Sequence, residues 1–262
     1  MSAILLEDDI VHYEVLGRGR PLLLLHSWVG SWRYWIPTMQ STSVGYRAYA
    51  LDLWGFGDTA KNKEQYSLDS QVLLLEKFLD QMGIMRIALI GHGLGAVVAL
   101  RYALQHSNIV DRVMVVGYPM DANLISDRLY HISTQEMLEW VLVREPQTEP
   151  VWVDAPKTDS QAVATCLDNL KELELQGTWR NVEMPCLLVH GQNDPVTRLP
   201  DGENLTNMPD HAHLITFELS GHFPMLDNSN KFSRLLLDFL SLDSGASPQQ
   251  LQLKEQWKRR VR

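Results

Sequence analysis

The 262-residue sequence predicts a doubly wound, mostly parallel α/β sheet with an inserted helical cap. Three observations carry this. Short all-apolar runs at 22–25, 87–90, 113–116 and 186–189 have the character of parallel strands buried on both faces. Helical leucine spacing lies between them, so strand and helix alternate as in crossover units. The alternation lapses once, between about Met120 and Trp179, where helical pieces follow one another with no strong strand.

Composition narrows the classes. Hydrophobic residues at 45% and charged residues at 21% are ordinary for a folded globular chain. A net charge of −9 argues against a general nucleic-acid binder. Residues 1–9 are acidic with only a brief apolar run, which fits neither a signal peptide nor a membrane span, and a cytoplasmic location is expected. Cys166 and Cys186 are two separate thiols rather than a disulfide framework, and the nine histidines lack zinc-ligand spacing, so neither metal nor cofactor is expected.

In chain order, residues 10–15 alternate like a strand, 17–21 break it, and the apolar run 22–25 leads into His26-Ser27-Trp28-Val29-Gly30-Ser31. Trp32, Tyr34 and Trp35 begin a helix packed on that loop. The next strand, 46–51, runs into Asp52-Leu53-Trp54-Gly55-Phe56-Gly57. A helix follows over 67–82, with Ser67 as N-cap and Gly83 as stop. Strand 87–90 leads through Gly91-His92-Gly93-Leu94-Gly95 into a helix, and 113–116 is another buried strand.

The cap is expected over 118–178, broken at Pro146, Pro150 and Pro156. One of its apolar faces carries Met137, Leu138, Trp140, Val141 and Leu142, the other Val163, Cys166, Leu167, Leu170 and Leu173. The sheet resumes at 186–191 and 212–217, and an amphipathic helix over 232–242 closes the core, which comprises 1–117 and 179–242. The tail, 243–262, begins rich in Gly, Ser, Pro and Gln and ends basic from Lys254 through Trp257 to Arg262. It is expected to be solvated or loosely docked, with a contact to a partner or an anionic surface as the alternative.

The turn at 91–95 has the frame of a nucleophile elbow, G-x-S-x-G, in which a serine stands on a sharp strand-to-helix turn. Here the middle residue is Gly93. Gly91 and Gly95 are expected to let the helix approach neighbouring strands closely. Gly93 relieves a conformation that costs other residues about 1–3 kcal/mol, but it carries no hydroxyl. A phosphate cradle is the competing reading of a glycine-rich turn, and no G-x-x-x-x-G-K-[ST] or G-x-G-x-x-G pattern supports it.

Taken in order, His26-Ser27-Trp28, Asp52-x-x-Gly55-x-Gly57, the elbow, Gly191-Gln192-Asn193-Asp194 and Gly221-His222-Phe223-Pro224 resemble the α/β-hydrolase superfamily over about 10–242, in its capped esterase, lactonase and C–C hydrolase branch. The resemblance implies a catalytic set of Gly93, Asp194 and His222 in the order nucleophile, acid, histidine. Asp121 is the reserve acid. It also implies an oxyanion hole from the Trp28 and Leu94 backbone N–H groups, with His92 structural.

The sequence departs from the family twice, because Ser27 stands where glycine is usual and Gly93 where serine is usual, at two strand ends that adjoin in that fold. Ser27, Trp32 and Trp140 are candidate pocket residues, and Ser27 as a relocated nucleophile would need to reach His222 from a position the fold normally keeps free of a side chain. Ser31, Trp28 and Trp35 line or support the same region. The expected ligand is a small, largely apolar molecule with an ester or carbonyl group. The expected function is an ester hydrolase inactivated at Gly93, with a water-sized space beside that residue and esterase activity recoverable by Gly93→Ser. Two other readings stand beside it: a non-covalent His/Asp acid-base enzyme (lyase, cyclase or water-activating hydrolase), and a non-catalytic sensor. The sequence leaves the oligomeric state open.

Overall fold

The computed structural model describes residues 2–175, 177–199, 205, 208–243 and 246–253. The basic stretch from Lys254 onward lies outside them. Eight strands form one sheet: β1 (Ser2–Leu6), β2 (Asp9–Gly17), β3 (Arg20–Leu25), β4 (Tyr46–Leu51), β5 (Ile87–His92), β6 (Val110–Val116), β7 (Cys186–Gly191) and β8 (Ala212–Phe217). Their order is β1-β2-β4-β3-β5-β6-β7-β8, antiparallel at β1/β2 and β2/β4 and parallel elsewhere.

The apolar runs become the central strands because helices cover the sheet and leave those strands no polar face. Leu22, Leu23, Leu24 and Leu25 are fully buried, as are Val113, Met114, Val115 and Val116. Helices α1 (Ile36–Thr42), α2 (Leu68–Gln81), α3 (Leu94–Gln105), α7 (Pro224–Asp227) and α8 (Ser229–Leu240) flank the sheet, with α1 packed on α8 and α2 on α3. Ser67 caps α2, its side chain accepting from the Ser70 N–H, and Gly83 follows the helix with φ +64°.

Two expectations change. The brief apolar run near the start, assigned to no element from the sequence, lies in β1, which is joined to β2 by a turn at Glu7 and Asp8, both with positive φ. This edge strand is half-buried, yet residues 3–6 are a short continuous apolar run rather than an alternation of apolar and polar residues. Pro150 does not interrupt a helix: it sits in the first turn of α5 (Glu149–Asp154), where its missing N–H costs nothing. Between β6 and β7 the described residues hold α4 (Thr134–Val141), α5, α6 (Ser160–Lys171) and short 3₁₀ turns. Cys166 and Cys186 are free and buried.

The parallel strands point their carboxyl ends toward one edge of the sheet. Ser27, Asp52, Gly93, Gly117, Asp194 and His222 all follow those ends, which is where open α/β sheets gather their ligand-binding groups. β3 and β5 are neighbours in parallel register, with Leu25 opposite Gly91. Ser27 and Gly93 therefore each lie two residues beyond a directly paired couple.

Candidate active site

The elbow is built as its glycines require. A Cβ on Gly91 would lie 2.1 Å from the Gly95 carbonyl oxygen, and one on Gly95 would lie 2.6 Å from the carbonyl oxygens of both Leu25 and His26. The close approach brings the start of α3 against the end of β3, where the Gly95 N–H donates to the His26 carbonyl at 2.9 Å. Gly93 has φ +51° and ψ −110°, a conformation that strains any residue with a Cβ.

The space next to Gly93 is filled, contrary to the expected room for a water. A Cβ placed there would stand 2.0 Å from Ser27 Oγ, 3.0 Å from Ser27 Cβ and 3.1 Å from Trp28 Cδ1. Side chains at 27 and 93 thus compete for one volume. Ser27 holds it, and its Oγ lies 2.9 Å from His222 Nε2. His222 Nδ1 in turn lies 2.9 Å from Asp194 Oδ2. Ser27 and His222 are 0% and 2% exposed.

Hydrogen-bond bookkeeping fixes the protons. Asp194 Oδ1 accepts from the backbone N–H groups of Val196 (2.8 Å) and Thr197 (3.2 Å), leaving Oδ2 for His222. Burial works to raise this carboxyl, but the facing His222 and these donors outweigh it and keep it below 3.8. The carboxylate is ionised, so His222 Nδ1–H donates to it, and Nε2 accepts from the Ser27 hydroxyl. A hydroxyl bonded to an imidazole that is oriented by a buried carboxylate is the arrangement in which the ring can take the hydroxyl proton.

Ser27 is clamped on both sides. Its N–H donates to Tyr34 Oη at 2.9 Å, and its carbonyl accepts from His26 Nδ1 at 2.8 Å. Tyr34 Oη then donates to His92 Nδ1 at 3.0 Å, and His92 Nε2 donates to the His222 carbonyl at 2.8 Å. His26 Nε2 accepts from the Leu53 N–H at 3.0 Å. His26 and His92 each donate through one nitrogen and accept through the other, so both rings are neutral. Burial lowers both imidazoles, His92 well below its ordinary value. A ring-and-hydroxyl relay thus ties the Ser27 backbone to the His222 backbone.

The remaining predicted residues divide. Trp28 adjoins the Gly93 turn. Its N–H and that of Leu94 donate to no protein group among the described residues. The acid bonded to His222 is Asp194, and the Asp121 carboxylate accepts from the Asn123 N–H as a cap. Trp32 packs near His12, its N–H on Asp52 Oδ1 at 2.8 Å, and Trp140 lies beneath the Arg128 guanidinium. Neither ring is among those against His222, which are His92 and Phe223.

Ser31 supports the region by donating to Asp154 of α5 at 2.5 Å. His12, Asp52 and Asp58 bring possible ligand atoms within 4.8 Å of one another. The Asp52 oxygens are already engaged by His12, Trp32 N–H and Asp58 N–H, and Asp58 pairs with Lys157, so the group reads as a structural knot.

A family model for the alpha/beta hydrolase fold matches residues 20–148. The chain has the alpha/beta hydrolase fold. It is 25% identical, over 87% of its length and 87% of the relative's, to 2-hydroxy-6-oxo-6-(2'-aminophenyl)hexa-2,4-dienoic acid hydrolase of Metapseudomonas resinovorans. It is 21% identical to the pimeloyl-[acyl-carrier protein] methyl ester esterase of Vibrio cholerae, over 87% of this chain and 97% of that one. Among solved structures, an esterase from Exiguobacterium antarcticum superposes with a TM-score of 0.77 at 19% identity, covering 92% of this chain and 99% of that chain. No helix among the described residues is long and apolar enough to cross a membrane.

Proposed function

We propose that the chain is an active hydrolase of carboxylic-ester type, acting on a small, largely apolar molecule that carries an ester or related carbonyl group. The observation that carries this is the buried pair His222–Asp194, joined at 2.9 Å, with Nε2 turned to a buried hydroxyl. A binding protein has no physical need for an ionised carboxylate held under an imidazole whose second nitrogen faces a hydroxyl. His222 serves as general base and then general acid, and Asp194 steadies its protonated form. The unpaired N–H groups of Trp28 and Leu94 receive the negative charge that develops on the substrate oxygen.

The names of the relatives, a methyl ester esterase and a hydrolase of an oxo-dienoic acid, agree with this substrate chemistry. Hydrolysis of p-nitrophenyl acetate and butyrate tests the reading. His222→Gln keeps the ring's bulk and removes the base, so kcat/KM is expected to fall by about 10³-fold while thermal unfolding shifts only slightly. Equal rates in the two proteins would contradict it.

A further inference from the structure

We propose that Ser27, at the end of β3, is the nucleophile of this enzyme, so that the serine of the elbow has changed places with a glycine across two adjacent strands. The inference rests on the hydrolase reading above and names the group that attacks. Ser27 Oγ occupies the volume that any side chain at 93 would enter, and it makes the 2.9 Å contact with His222 Nε2 that a nucleophile needs. Both ends of the Ser27 peptide are fixed, by Tyr34 and His26, so the hydroxyl is held rather than sampled.

The exchange leaves the oxyanion donors in place. In the elbow arrangement they are the N–H after the nucleophile and one from the β3 loop. With Ser27 attacking, Trp28 becomes the residue after the nucleophile, and Leu94 supplies the N–H from across the sheet. The same two groups serve with their roles interchanged.

The step balances. Ser27 Oγ forms a bond to the acyl carbon, its proton passes to His222 Nε2, and the carbonyl π pair moves onto oxygen. Collapse of that oxyanion breaks the bond to the leaving alkoxide, which takes the proton from His222. Water then attacks the Ser27 ester, gives its proton to His222, and the carboxylic acid leaves as Ser27 recovers its hydrogen.

The full chain is treated with diisopropyl fluorophosphate and the modified peptide mapped by mass spectrometry, beside p-nitrophenyl butyrate turnover of the wild type, Ser27→Ala and His222→Gln. The expected result is one adduct on Ser27, its absence in Ser27→Ala, and a loss of about 10³-fold or more in kcat for that variant. Ser27→Cys provides a second readout, with expected alkylation of position 27 by iodoacetamide that slows when His222→Gln is added. Turnover that depends on His222 but survives Ser27→Ala within tenfold, with no adduct on Ser27, would overturn the proposal and leave the hydrolase reading standing with water as the attacking group. Labelling of Ser27 without ester turnover would support the nucleophile and overturn the ester chemistry. Neither turnover nor labelling at position 27 would overturn both.

Discussion

Tyr34 Oη is the joint of the residue-scale relay, because it accepts from Ser27 and donates to His92, and the Tyr34 side chain is buried. Tyr34→Phe removes that oxygen and leaves two buried polar groups unpaired, the Ser27 N–H and His92 Nδ1. Each such group costs about 1–3 kcal/mol, so the variant is expected to lose about 2–6 kcal/mol of stability in chemical denaturation. Because the ring itself stays, the fold is retained, and the effect on turnover is one of position. A fall of about tenfold in kcat with little change in KM is expected, since the hydroxyl at 27 drifts by a fraction of the distance that near-attack geometry tolerates. Unchanged stability and unchanged kcat together would show that the relay is not what holds Ser27. Such a relay could not be read from the sequence. Tyr34 looked like part of an aromatic helix start and His92 like a structural elbow residue, and only folding brings them within hydrogen-bond reach.

At the scale of elements, the helices between β6 and β7 are seated on the strand-end loops through small residues and one buried carboxylate. A Cβ on Gly55 would lie 2.3 Å from Ala162 Cβ, and one on Gly30 would lie 3.1 Å from Val151 Cγ1, so both loops are bare where the helices rest. Asp154, at the end of α5, accepts from Ser31 and from Arg33 Nε at 2.8 Å, and Lys157 Nζ lies 3.2 Å from its other oxygen. Burial acts to raise the Asp154 carboxyl, but these three partners outweigh it and keep the group below 3.8. Asp154→Ala leaves the Ser31 hydroxyl and Arg33 without their acceptor. Arg33 is partly exposed, which limits the loss to about 1.5–3 kcal/mol. A fall in Tm of roughly 4–10 °C is expected, with hydrogen exchange in 149–171 quickening before that of β5 and β6. A variant with wild-type Tm and wild-type exchange would show that the latch contributes nothing. The two helix faces were legible as apolar stripes, whereas the latch was not, because Ser31 and Asp154 stand 123 positions apart.

For the molecule as a whole, β4, β7 and β8 run over the residues their patterns indicate, whereas β3 and β6 begin before their apolar runs. The edge strand β1 was hidden because its apolar run, 3–6, is short and does not alternate as its half-buried faces do. The acid and the histidine were legible from local motifs, and the serine–glycine exchange was visible as two departures from one family pattern. What the sequence could not supply was the distance between Ser27 and His222, which depends on how far β3 and β5 stand in register and on how tightly Gly91 and Gly95 let α3 approach.

That geometry also revises the expected outcome of Gly93→Ser alone. The new side chain would meet Ser27 and push its hydroxyl off His222 rather than add a missing group. A double-mutant cycle on kcat/KM for p-nitrophenyl butyrate, using Ser27→Gly, Gly93→Ser and the two combined, measures this competition directly. If one volume serves one serine on either strand, each single variant falls well below the wild type, Ser27→Gly by about 10³-fold or more, and the combined variant recovers activity above both. Additive losses, or a Gly93→Ser protein faster than the wild type while Ser27→Gly is unimpaired, would contradict the exchange.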